Sequence, residues 1–202
     1  DRARELHLEA HAAAEPIAPF LVQMVEANLA LDAFAAGDSE AGSEWLRLAQ
    51  TREGPPSMAV MWLGLLASAA VCLAEYDGDW EQAMEAVEQE LSIARQRQHL
   101  LQQPDLLCHQ GRCFVGLGLL AEAEASFRQA LALAEPAVMR PVLWQVHAAV
   151  AQLHRTQGRA AEADAEWQAA AALALEIAGF LDDPAQRESF LATPAVRAVL
   201  RD

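Results

Sequence analysis

Gly118–Ala134 (GLLAEAEASFRQALALA) and Gly158–Ala174 (GRAAEADAEWQAAAALA) decide the fold, because residues of the same type fall at the same offsets 40 positions apart. Each stretch opens on a glycine. A small residue follows five positions later (Ala123, Ala163), and a bulky apolar one four after that (Phe127, Trp167). Working outward, Gly78 has Ala83 and Val87 at the same offsets, and a further glycine stands at Gly37. There the small–bulky pair reads as Ala41 and Trp45, one residue early relative to its glycine. A fixed period of this length marks a helical repeat array, in which each unit buries its apolar face against its neighbours.

The 202 residues are enough for one short array or one to two globular domains. Alanine dominates and β-branched residues are few, as an all-helical chain requires. The formal net charge is −15. That sign argues against nucleic acid as a partner, since phosphates are held by cations that displace counterions, and it argues against an anionic membrane surface. Every basic residue is arginine, a usage that a GC-rich genome accounts for. Cys72, Cys108 and Cys113 are odd in number and irregularly spaced, which fits a reducing cytoplasm better than a disulfide framework. The chain opens without a signal-peptide pattern. Met58–Ala74 (MAVMWLGLLASAAVCLA) is uncharged and nearly long enough to span a bilayer, but it stands in phase with the repeat, before Gly78. A helix covered on several sides within an array reads apolar nearly all round.

Each unit is therefore expected to run helix A, glycine turn, helix B. Glycine suits the turn because it accepts positive φ where helix A ends. Acidic residues near the start of helix B (Asp38, Asp79, Glu122, Glu162) suit the helix dipole. Pro16, Pro55, Pro56, Pro104, Pro136 and Pro141 separate the units. The pattern predicts helices over 1–14, 17–36, 39–51, 56–75, 79–98, 104–117, 120–134, 138–157, 160–180, 184–191 and 194–201. Ala3–Pro16 matches Ala123–Pro136 at an offset of three periods, so the chain is expected to open inside a helix B, as a piece of a longer array. Asp183-Pro184 and Thr193-Pro194 read as N-cap and first-turn pairs of two short helices that cap the last repeat. The expected layout is a single domain over 1–202: a half-repeat (1–16), four helix pairs (17–180) and capping helices (181–202).

The last two units resemble the tetratricopeptide repeat (TPR). Gly158, Glu162, Ala163, Trp167 and Ala170 fall on the family's glycine, Glu-Ala, aromatic and alanine positions, as do Gly118, Glu122, Ala123, Phe127 and Ala130. Leu107, Gly111 and Phe114 match the large, small and aromatic positions of helix A. In unit four those positions hold His147, Ala151 and His154, and unit two has Glu90 where alanine is usual. The resemblance implies a right-handed α-α superhelix of antiparallel helix pairs. Its long units are similar to the superhelical regions of MalT-type transcription regulators and related signalling ATPases, which receive an inducer or partner protein. The nucleotide-binding glycine-lysine motif of those proteins is absent here.

The resemblance also implies where a ligand would lie, since helix A positions two, five, nine, twelve and thirteen line the groove of such arrays. By register these are Leu65, Ser68, Cys72, Glu75 and Tyr76; then Asp105, Cys108, Arg112, Val115 and Gly116; then Gln145, Ala148, Gln152, Arg155 and Thr156. Arg112, Gln152 and Arg155 would form a cationic, amide-rich patch able to hold a carboxylate such as a peptide C-terminus. The competing reading pairs both arginines with nearby acids.

Other constellations carry less. Cys108, His109, Cys113, His147 and His154 match no common zinc spacing and read as packing residues. Glu81, Glu85 and Glu88 read as a solvated helix face. Trp45, Trp62 and Trp167 read as core wedges. No metal, cofactor or catalytic residue is expected. The expected function is regulatory binding of a protein, peptide or small-molecule effector by the sensor or docking region of a larger cytoplasmic signalling protein. A stand-alone scaffold is the alternative, and a metal-dependent enzyme a distant third.

Overall fold

The computed structural model describes residues 2–16, 18–52 and 64–201. Among them every regular element is an α-helix: α1 (Arg2–Ala14), α2 (Pro19–Ala35), α3 (Ser39–Thr51), α4 (Leu65–Asp77), α5 (Trp80–Gln96), α6 (Gln103–Gly116), α7 (Leu120–Ala134), α8 (Arg140–Thr156), α9 (Ala160–Gly179), α10 (Pro184–Ala192) and α11 (Pro194–Arg201). The predicted order holds throughout, and α3, α7 and α11 begin and end where the pattern placed them. The first part of the helix expected over 56–75, with Trp62 and much of the uncharged stretch, lies outside the described residues. No described helix is long and apolar enough to cross a membrane.

The chain divides into two compact units, Asp1–Gln102 and Gln103–Asp202. In the first, α1 packs on α2, α2 pairs with α3, α4 pairs with α5, and α4 also meets α2 and α3. In the second, α6 pairs with α7 and α8 with α9, while α7 and α6 both meet α8. The short helices α10 and α11 pack on α9, with Val196 and Val199 buried, as caps should.

Gly37, Gly78, Gly118 and Gly158 all take the left-handed conformation (φ +80°, +82°, +77° and +74°). After Gly118 the chain closes with the Leu119 N–H donating to the Phe114 carbonyl (2.8 Å), a Schellman-type stop that needs positive φ. Two further residues share that conformation without being glycine: Gln98 (φ +57°) and Val138 (φ +50°). They end α5 and α7, with matching bonds from His99 N to Ala94 O and from Met139 N to Ala134 O. Left-handed positions thus recur every 20 residues, at 78, 98, 118, 138 and 158. The period is half the one the glycines reveal.

The wedge pattern is physical. Ala123, Phe127, Ala83, Val87 and Ala163 are buried. Gly111 lies under the Phe127 ring, so close that a Cβ there would overlap it. The first unit corrects the sequence reading. Its buried pair is Gly42 and Leu46, at the same offsets from Gly37 as in the other units, and not Ala41 and Trp45. A Cβ on Gly42 would meet Phe34 of α2 at 2.5 Å, so here the aromatic comes from helix A and the small residue from helix B. Glycine in the small-residue position hides the register, because Ala41 next to it looks like the expected alanine.

Caps fall largely as read. Asp38 accepts from Ala41 N (3.1 Å), Asp79 from Gln82 N (3.1 Å) and Asp183 from Ala185 N (2.9 Å). The Thr193 hydroxyl, expected to cap α11, turns back instead and donates to Phe190 O (2.8 Å) at the end of α10. Glu90, at the position where alanine was expected, is buried, and its carboxylate accepts the Gly64 N–H (2.6 Å) at the start of α4.

Candidate functional site

Of the register-derived groove positions, those on α4 and α8 are exposed or half-buried, whereas Cys108 on α6 is buried and lines no groove. On α4, Leu65, Ser68 and Cys72 are half-buried and Glu75 and Tyr76 exposed, while Ala67, Ala69, Ala70, Val71 and Ala74 face inward. Tyr76 is not idle: its hydroxyl donates to Phe34 O (3.0 Å) and its ring stacks on Phe34 at 5.9 Å, tying α4 to α2. On α8, Gln152, Arg155 and Thr156 are exposed and Gln145 and Ala148 half-buried, opposite the inward Leu143, Val146, Val150 and His154. The Gln145 amide donates to Pro141 O (2.8 Å).

α6 is packed more tightly. Cys108 is buried, and burial, eased by Arg112 and aggravated by Asp105, pushes its thiol up to about 12. Asp105 and Arg112 are half-buried. His109 Nε2 lies 3.6 Å from Asp105 Oδ2. Burial raises the Asp105 pKa, but the charges of His109 and Arg112 outweigh it, and the carboxyl sits below its ordinary value. Arg112 is therefore electrostatically engaged with an acid of its own helix, as the competing reading of that residue has it.

The residues grouped as a possible metal set go their own ways. His147 Nδ1 lies 2.6 Å from Glu166 Oε2 and joins α8 to α9, and His154 is buried. Among the described residues no group of three or more His, Cys, Asp or Glu side chains is placed to hold a metal ion.

Two features went unread in the sequence. The first is a charge network in unit one. Glu26, fully buried on α2, receives Arg52 through Nε (3.1 Å) and Nη2 (2.7 Å), and His11 Nε2 lies 3.1 Å away. Glu15 is 3.8 Å from the same guanidinium, and the two carboxylates hold the Arg52 pKa up, the Glu26 hydrogen bond most of all. One turn earlier on α1, His7 Nδ1 lies 2.6 Å from Asp32 Oδ2. Trp45, expected in the core, is half-buried and meets His11 edge-on at 5.4 Å. α1 buries no residue of its own, so these polar contacts do much to seat it. The only signal was an acid inside an apolar helix.

The second is a cleft of about 170 Å³ between α3, α4 and α5. Leu46, Ala70, Leu73, Ala74 and Ala83 make its floor; Ser43, Arg47 and Gln50 stand on one wall, Asp77, Asp79 and Gln82 on the other. A wider, shallower cleft between α10 and α11 includes Arg187, whose guanidinium is already held by the Ala178 and Leu181 carbonyls at 3.1 and 2.7 Å.

No family model and no curated protein sequence matches this chain.

Proposed function

We propose that the chain is a non-catalytic, tetratricopeptide-like binding module, the sensor or docking region of a larger cytoplasmic signalling or transcription-regulatory protein. A peptide, protein or small effector seats along the outward stripe of a helix A and biases the module attached to it. The observation that supports this reading is the α8 stripe: Gln152 and Arg155 are exposed on a helix whose other side is core. An exposed guanidinium and amide one turn apart are suited to a carboxylate, through forked charge-assisted hydrogen bonds.

A fluorescence-anisotropy screen of labelled peptides with free and amidated C-termini tests it. Free termini are expected to bind, with amidation or the Gln152→Ala/Arg155→Ala variant each weakening binding about tenfold, the equivalent of about 1.4 kcal/mol. Equal binding of amidated and free peptides, or a variant that binds like the parent, would remove the α8 stripe as the site.

A further inference from the structure

We infer that the cleft between α3, α4 and α5 is a binding site for an amino-acid-sized zwitterion. The inference is independent of the α8 stripe, which belongs to the other compact unit.

The walls carry opposite charge. Arg47 and the Gln50 amide rise from α3, and Asp77 and Asp79 from the turn joining α4 to α5. The distribution is unlike the surface ion pairs elsewhere in the chain, such as Arg128 with Glu124 at 3.2 Å or Arg159 with Glu162 at 2.8 Å. Those pairs satisfy themselves directly. Arg47 makes no ion pair with any described residue, although the chain has 29 acids for 14 arginines and two of those acids line the same cleft. A cation and two carboxylates are thus kept apart by a gap that neither wall closes.

Beneath them lie Leu46, Leu73 and three alanines. Leu46, Ala70, Ala74 and Ala83 are buried. A ligand spanning the gap would put its carboxylate on Arg47 and its ammonium on the second carboxylate oxygens of Asp77 and Asp79, whose Oδ1 atoms already accept the Asp79 and Gln82 N–H groups (2.9 and 3.1 Å). Ser43, Gln50 and Gln82 supply neutral donors and acceptors around it. A simple anion would leave the aspartates opposed to it, and a simple cation would face Arg47. Only a molecule with both charges complements both walls. The volume of about 170 Å³ matches roughly the size of a free amino acid.

The experiment is isothermal calorimetry on the full chain with α- and ω-amino acids of two to five carbons, with butyrate and n-butylamine as singly charged controls. At least one zwitterion is expected to give saturable binding, with both controls at least about tenfold weaker. Arg47→Ala, an exposed change that leaves the helix intact, is expected to weaken it by about tenfold or more, and Arg128→Ala, at an exposed arginine of the other unit, to leave it unchanged. Circular dichroism checks that the Arg47 variant is folded. Absence of saturable binding by every zwitterion up to millimolar concentration overturns the inference, as does binding that Arg47→Ala leaves intact or that butyrate or n-butylamine reproduces.

Discussion

The Glu26 carboxyl group has no solvent around it, and its polar atoms are met by Arg52 and His11 instead. Removing one member of such a set strands the others. Glu26→Gln is expected to cost about 3 kcal/mol in urea unfolding, the lower end for a buried pair because Arg52 keeps part of its side chain in water. Asp105 gives a pH signature. Its folded pKa lies below the ordinary carboxyl value, so its contribution is fully present above about pH 4 and is lost as pH falls through the lower, folded value. Asp105→Asn should therefore flatten the acid limb of the stability curve below pH 4. Cys108 gives a chemical one. With its thiol pushed up to about 12 and buried, it should resist iodoacetamide at pH 8 while half-buried Cys72 is labelled first; mass spectrometry of the alkylated peptides reads the order. The Asp105 contacts follow helical spacing, with His109 four and Arg112 seven positions on, but the environments of Glu26 and Cys108 could not be read that way. The partners of Glu26 lie 15 and 26 positions away, at separations set by how α1 and α3 settle on α2.

At the scale of the element, the turns and wedges were legible because glycine and alanine do something no other residue does there. Left-handed backbone and a ring seated on a bare Cα both leave glycine in the sequence. Gly111→Ala should gain helix propensity yet lose more to the clash with the buried Phe127 ring, for a net loss of about 1–2 kcal/mol. Thermal unfolding of Gly111→Ala beside Gly111→Ala/Phe127→Leu checks this, with the double variant recovering part of the loss. The turns that end α5 and α7 were illegible for the converse reason. Gln98 and Val138 hold the conformation without the residue that advertises it. A β-branched residue there is strained, and Val138 is exposed, so little burial is at stake. Val138→Gly should raise stability by up to about 1 kcal/mol, a rise of a few degrees in midpoint for a chain this long. The unit-one register was missed through the same ambiguity, with Ala41 standing beside the true packing residue, Gly42.

For the molecule as a whole, fold class followed from period and composition, and register placed exposed or half-buried positions on α4 and α8 but failed at buried Cys108. The cleft between α3, α4 and α5 followed from neither, because it joins residues of three helices, and no motif records what two hairpins enclose. Charge acts on the same scale. A net charge of −15 repels itself, and salt shortens the reach of that repulsion from about 10 Å at 0.1 M to about 3 Å at 1 M. The thermal midpoint should therefore rise between those two sodium chloride concentrations, since the exposed ion pairs lost to screening are worth little. A midpoint that falls would mean the ion pairs outweigh the global repulsion. The recurrence of left-handed turns every 20 residues reaches beyond stability. It makes the copyable block of the gene one helix with its turn, and it gives growth a parity rule. Duplicating two blocks lengthens the protein and keeps every inward face inward; duplicating one sets an A-type helix where a B-type belongs and turns the downstream helices inside out.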